Sequence, residues 1–423
     1  MSQCLVLGAG IVGVSTAIWL QRSGHEVVLI DREGPAAGAS HGNAGMLASA
    51  SLVPVTTPGL WKKVPKMLFD PDGPLFVRWS GALRMVPFLT RYLQHCRTSH
   101  VQYYAEKMGP LIYDSLAQHR ALAQDTIAME YIKEADYCFG YDHEYQWAQD
   151  QKGWDLRQQA GIRFETLSGQ EYEAHDPIFS GCFAKVVRCV DHGMITDPPA
   201  YVRALAEHFV EQGGTLLIKD VTEVDIKTGP RPLVKTKDED FSADHVFVTM
   251  GVWSKKILQQ QGLSVPLERE TGYHVEFINP NMAPKNPMTV MSGKYIISPM
   301  RGRIRAAGLV EFGNHLHRAA QPPLDMLKRS VRRYLPQLSY DHTEDWFGHR
   351  PALPDSLPIL GSLTSSSKDQ GKNLWGAFGH QHVGLTGSAK TGRILAQSIE
   401  GSPINIDLDA FRADRPFTPS TKR

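Results

Sequence analysis

The chain opens on a change of hydrophobic period. Cys4-Leu5-Val6-Leu7 is an unbroken apolar run that stops at Gly8, the pattern of a short strand buried on both faces. An amphipathic stretch follows through Trp19 and Leu20, and Val27 to Ile30 is a second apolar run. Cys4 to Asp31 therefore predicts a strand, a tight turn, a helix and a parallel strand. After two tryptophans and several Pro breaks, Val86, Leu89, Tyr92, Leu93, Tyr103, Met108, Leu111, Ile112, Leu116 and Leu122 keep a helical spacing. This predicts an inserted helical region, with Tyr103 and Tyr104 as candidates to line an entrance. Tyr131 to Phe183 reads as short strands with a small antiparallel element. Asp191 to Ile226 reads as a turn, a helix capped by Asp197 and Pro198 and ended by Gly213 and Gly214, and two strands, of which Thr215 to Ile218 returns to the first sheet.

Further on, His245 to Leu258 is an apolar strand that turns at Gly251 into a helix begun by Trp253 and Ser254. From Leu267 to Phe312 the runs GYHVEF, KYIISPM and GRIRAAGLVEF alternate between Pro and Gly turns, as in an antiparallel sheet, with Tyr273, His274, Tyr295 and Arg305 as polar members. Leu324 to Tyr334 predicts a short basic, solvated helix, and Asn373 to Gly401 a strand, a glycine-rich turn and a helix. The tail after Asp407 reads as fraying.

Within the first element, the chemistry lies in the spacing of Gly8, Gly10 and Gly13. Gly8 allows the turn, Gly10 lets a pyrophosphate approach the backbone, and Gly13 lets helix and strand pack closely, with the helix N-terminus facing the phosphate charge. Asp31 ends the second strand where a carboxylate accepts ribose hydroxyls. Strand, helix and acid agree on a bound adenine dinucleotide, and the motif alone leaves NAD and FAD both open. The stretch Asp31 to Ala48, rich in Gly, Ala and small polar residues, allows backbone contact with such a ligand, with Ser40, His41 and Asn43 as hydrogen-bonding candidates. With 423 residues, two domains, or one nucleotide domain with a large insertion, are expected. Lys and Arg number 45 against 44 for Asp and Glu, a formal charge of +1 that gives no reason to expect nucleic acid. Five scattered cysteines show neither a disulfide framework nor metal spacing. No secretion signal is expected, since the first apolar strand lacks a basic n-region and a small-residue cleavage site, and no run reaches the roughly 18 apolar residues of a spanning helix. A cytoplasmic protein is expected, with peripheral membrane contact left open.

Gly8 to Gly13, Asp31 and the segment Gly38-Ala-Ser-His-Gly-Asn-Ala-Gly45 resemble the D-amino-acid dehydrogenases of the FAD-dependent amine and amino-acid oxidoreductase superfamily, which also holds glycine, sarcosine and D-amino-acid oxidases. The resemblance implies FAD, non-covalently bound, because His41 is one place off the arrangement of covalent relatives. It implies an α/β fold, α+β overall: a discontinuous Rossmann-like FAD domain (1–59, 184–266 and 340–423) and a substrate domain on a mostly antiparallel sheet with a helical insertion (60–183 and 267–339). Cofactor contacts carried over are Gly8, Gly10, Ile11, Val12, Gly13, Asp31, Arg32, Ser40, His41, Asn43, Ala44, Gly45, Met46, the backbone of Val221, Gly251, Trp253, Arg350, Gly379, His380, Val383, Gly384, Leu385 and Thr386.

The Gly348-x-Arg-Pro-x-x-Pro-Asp355 stretch presents Arg350 as a bidentate fork suited to a carboxylate, with a structural ion pair as the competing reading. The resemblance gives that arginine the substrate carboxylate, Tyr295 a supporting hydrogen bond, and His380 and His382 the flavin face. Glycine oxidases carry arginine where His382 stands, so strict glycine oxidase activity is not expected. The implied reaction is oxidative deamination of a D-amino acid, or of a secondary or cyclic amino acid, by hydride transfer to flavin N5, with a quinone or other electron acceptor. A glycine- or sarcosine-type oxidase using oxygen and a D-hydroxyproline dehydrogenase are the alternatives. A flavin-binding module without enzymatic activity fits less well, since it predicts a basic surface.

Overall fold

The computed structural model describes residues 1–70, 73–313, 318–364 and 373–418. Its first sheet has six strands in the order Ile359–Ser362, Asn373–Phe378, His245–Val248, Gln3–Leu7, Glu26–Asp31 and Thr215–Ile218. All neighbours are parallel except the outermost pair, Ile359–Ser362 with Asn373–Phe378. Val6, Leu7 and Phe247 are fully buried, as expected where helices cover a parallel sheet. The first helix, Ile11–Arg22, packs along the last, Gly384–Glu400. They meet so closely that a Cβ on Gly392 would stand 2.6 Å from the carbonyl carbon of Ser15.

The helices Thr98–Ile112 and Ser115–Ala123 were expected with the second domain. Tyr104, Met108, Leu111 and Leu122 instead join the core formed by the first and last helices. The asparagine-free polar stretch Glu144–Gln159, expected among strands, is a helix that buries Trp154 alone. The tail does not fray through residue 418: Phe411 is fully buried, and Arg415 closes a buried ion pair on Asp355 at 2.7 Å.

The second sheet is mostly antiparallel and follows the path Thr343–Ala352, Glu268–Ile278, Arg303–Phe312, Tyr295–Met300, Met288–Val290, Ile132–Tyr141, Lys185–Ile195 and Met46–Leu47. Along Glu268–Ile278 the side chains alternate. Tyr273, Val275 and Phe277 enter a core with Ile297, Leu327 and Val331, which leaves Glu270, Gly272, His274 and Glu276 on the opposite face. The helix Gln321–Tyr334 supplies Leu324, Met326, Leu327 and Val331 to that core, so only its other face is solvated. A separate three-stranded antiparallel sheet runs over Val221–Asp225, Leu233–Thr236 and Asp240–Ser242.

Candidate active site

A cavity of about 900 Å³ runs from the turn after Gln3–Leu7 to the face of the second sheet. At its nucleotide end Gly8 has φ +105°, and a Cβ there would stand 2.9 Å from the Thr249 carbonyl oxygen. A Cβ on Gly13 would come within 1.8 Å of the Gly8 carbonyl oxygen, so helix and turn meet only because both residues are glycine. Gly10 opens the helix with no side-chain cap. The Ile11 N–H donates to Ser40 Oγ at 3.0 Å. Asp31 accepts from the backbone of Ala9 at 2.7 Å and of Glu33 and Gly34 at 2.8 and 2.9 Å, fixing the turn around the cavity wall it lines.

Of the expected cofactor residues, Gly8, Gly10, Ile11, Val12, Asp31, Arg32, Ser40, Asn43, Ala44, Met46, Val221, Gly251, Trp253, Arg350, His380, Gly384 and Leu385 border this one cavity. The Arg32 guanidinium lies over the Trp253 ring at 4.1 Å. Gly13, His41, Gly45, Gly379, Val383 and Thr386 stand behind the wall. Gly45 and Gly379 supply positive φ angles of 77° and 85°. Thr386 Oγ1 accepts from the Ala48 N–H at 3.1 Å, tying the last helix to the first loop. His41 stacks on Trp346 with ring centres 5.8 Å apart.

The loop from Gly38 to Gly45 rests on groups that no motif marks. Arg305 is fully buried; it donates to the His41 carbonyl at 3.0 Å and to the Asn43 carbonyl, and pairs with Glu276. Glu276 also pairs with Arg303, which reaches Asp197 at 3.1 Å. Arg305 thus holds the loop rather than facing the cavity. The strand alternation in the sequence left its direction undecided.

At the far end Arg350 and His382 line the cavity and share a third residue, Glu270. Arg350 Nη1 stands 3.1 Å and His382 Nε2 2.9 Å from the same oxygen, Glu270 Oε1. Arg350 also donates to the carbonyls of Leu309 at 3.0 Å and Gly308 at 3.3 Å, and its fork lies against Gly272, where any Cβ would clash. Glu270 is 1% exposed and its Oε2 has no hydrogen-bond partner. Burial works to raise its pKa, but His382 and Arg350 more than offset that and hold the carboxyl below its ordinary range. His380 also borders the cavity, with its Nε2 3.1 Å from Thr391 Oγ1, and burial brings its pKa down to about 4.

Tyr295 borders the cavity, and its ring also packs into the core with Gln321–Tyr334, beside Tyr334. On the cavity side stand Tyr137 and Thr289, whose hydroxyls are 3.3 Å apart. Neither was expected, since both lie in strands without a motif. Tyr103 and Tyr104 line no part of this cavity; the first is 41% exposed and the second is buried in the nucleotide core. Among the described residues no cluster of His, Cys, Asp and Glu is arranged to hold a metal ion.

The model of the family described as FAD dependent oxidoreductase matches residues 3–398. A D-amino-acid oxidase of Bradyrhizobium diazoefficiens is 34% identical over 417 residues, covering 97% of this chain and 98% of that one. A D-amino acid dehydrogenase of Rhizobium rhizogenes is 27% identical over 413 residues, 95% and 97% of the two chains. Among solved structures, glycine oxidase from Geobacillus kaustophilus superposes with a TM-score of 0.73 at 19% identity, over 98% of this chain and all of the other.

Proposed function

The chain belongs to the family of FAD-dependent oxidoreductases, and from that premise we propose that it oxidatively deaminates a D-amino acid or a related secondary or cyclic amino acid, with electrons passed to a quinone or another acceptor. The carrying observation is that a single cavity joins the phosphate cradle at Gly10 to the Arg350–His382 wall. The donor set suits FAD: the uncapped helix start at Gly10, the acid at Asp31 and the small-residue loop Gly38–Gly45 fit a dinucleotide that continues into a flat ring. The start of the last helix, uncapped at Val383, suits negative charge on that ring. Bound there, FAD supplies the two-electron sink for the Cα hydrogen.

Arg350 keeps N–H groups beyond those given to Glu270, Leu309 and Gly308, and these serve the substrate carboxylate. The names of the two curated relatives support a D-amino acid. Oxygen as the acceptor is a second reading, favoured by the oxidase name of the 34%-identical relative.

Anaerobic bleaching of the purified protein's flavin by D- and L-alanine, D-proline, D-hydroxyproline, D-phenylalanine, glycine and sarcosine tests the substrate. Rapid bleaching by at least one D-amino acid and not by its L-enantiomer is expected; bleaching by none sinks the reading. Mixing the reduced enzyme with air or with a soluble quinone then separates the acceptors.

The same reading places the enzyme peripherally on the cytoplasmic face of a membrane. Support comes from the helix Trp79–Gln94, where Trp79, Leu83, Val86 and Leu93 share one outward face and are 73%, 86%, 51% and 39% exposed. Arg84 and Arg91 lie on the same helix, which carries no acid, and its Gly81, Arg84 and Met85 border the cavity. Co-sedimentation with anionic phospholipid vesicles, abolished by Trp79→Ser with Leu83→Ser, is expected. Equal recovery of both proteins in the supernatant removes the membrane contact.

A further inference from the structure

We propose that His382 accepts the proton of the substrate's ammonium group, and that Glu270 is the positioning residue that holds its imidazole for this task. The inference rests on the amino-acid reading above and adds a proton acceptor to it. An amino acid near neutral pH carries –NH3⁺, whose nitrogen has no lone pair to form the C=N bond as the Cα hydrogen leaves. One proton must go first.

The geometry points to His382 as its destination. Arg350 holds its proton at any working pH and accepts none. His380 is buried on Thr391, and His274 is buried with its Nδ1 3.4 Å from the Gly42 carbonyl. His349 is 6% exposed, with Nδ1 3.1 Å from Thr271 Oγ1. The His382 side chain is 36% exposed and lines the cavity. Its Nε2 is held at 2.9 Å by Glu270, and among the described residues its Nδ1 has no hydrogen-bond partner.

A carboxylate that takes the Nε2–H leaves the Nδ1 lone pair free and stabilises the imidazolium once it forms. Glu270 is fitted to this. Arg350 keeps it ionised, and its second oxygen has no other partner to disperse the charge. The charged and titratable groups around the pair are Arg350 on the neighbouring strand and the Tyr92 phenol across from Glu270, which burial, with Glu270's charge adding to it, keeps neutral.

The step balances within the chain and the substrate. An N–H bond of the ammonium breaks, its electron pair stays on nitrogen, and the proton bonds to Nδ1. The freed lone pair then forms C=N as the Cα hydrogen departs with its two electrons to FAD, the oxidant the family supplies. The partly exposed His382 returns its proton to water.

The test uses the FAD-bound enzyme and the D-amino acid from the panel that bleaches it fastest. His382→Ala is expected to lower the limiting rate of flavin reduction by about 100-fold, with the substrate dissociation constant changed by less than about 3-fold and the rate partly restored by added imidazole. Glu270→Gln is expected to slow reduction by about 10-fold while carboxylate binding holds or tightens, because Arg350 has lost its counter-charge; a purely structural role would instead weaken binding. His382→Gln serves if the alanine variant fails to fold. Independently of turnover, ¹⁵N NMR of the resting enzyme is expected to show neutral His382 protonated on Nε2. The opposite tautomer, or reduction by His382→Ala at the wild-type rate and with the wild-type pH profile, overturns the proposal. A wild-type flavin that no amino acid bleaches overturns the amino-acid reading itself, so the two failures are distinct.

Discussion

Buried histidines set the response of this protein to acid. Burial brings His100, His119 and His380 down to about 4 from an ordinary 6.5. A histidine with a lowered folded pKa binds its proton more readily in the unfolded chain, so stability is lost as pH falls from 6.5 toward 4. Each such residue costs about 3 kcal/mol by pH 4. The urea midpoint is expected to drop steadily between pH 6.5 and 4.5, and His119→Gln is expected to reduce that slope; a flat profile would refute the assignment. At this scale the sequence is legible where a turn or proline fixes a residue, as Pro351 does for Arg350. It is silent for Glu270 and Arg305, charged residues in strands whose direction depends on which face the sheet buries. Tyr295 and its strand neighbour Ile296 both border the cavity, so the period of two does not by itself say which of them meets a substrate.

Elements with their own hydrophobic period were read directly. The opening strand, helix and strand, the strand His245–Val248 and the alternating strands of the second sheet all lie where their patterns place them. Glu144–Gln159 escaped because it is polar on nearly every side; the helix at Gln321–Tyr334 was expected, but its arginines hid its apolar face. The first helix depends on glycine differently within it and just past its end. Gly13→Ala is expected to cost about 2 kcal/mol or more through the collision with the Gly8 carbonyl, and to empty the site of FAD. Gly24→Ala, strained at φ +82° but with open space around its Cβ, is expected to cost about 1 kcal/mol and keep the flavin. The ratio of flavin to protein absorbance and the melting temperature check both. Equal flavin content in the two variants would count against the close packing.

For the whole molecule, legibility came from distant segments agreeing on one cavity, and the blind spot was the helical stretch between them. No local pattern tells which of two cores a helix such as Thr98–Ile112 will cover; that is settled by the face left bare on the first and last helices. The first sheet carries a further consequence for synthesis. Gln3–Leu7 has His245–Val248 as one neighbour, and that strand in turn needs Asn373–Phe378, so the earliest strand to leave the ribosome waits on some of the latest. At ordinary translation speed that wait is on the order of tens of seconds. Throughout it the apolar sides of the newborn first helix lie open to chaperones and to neighbouring nascent chains.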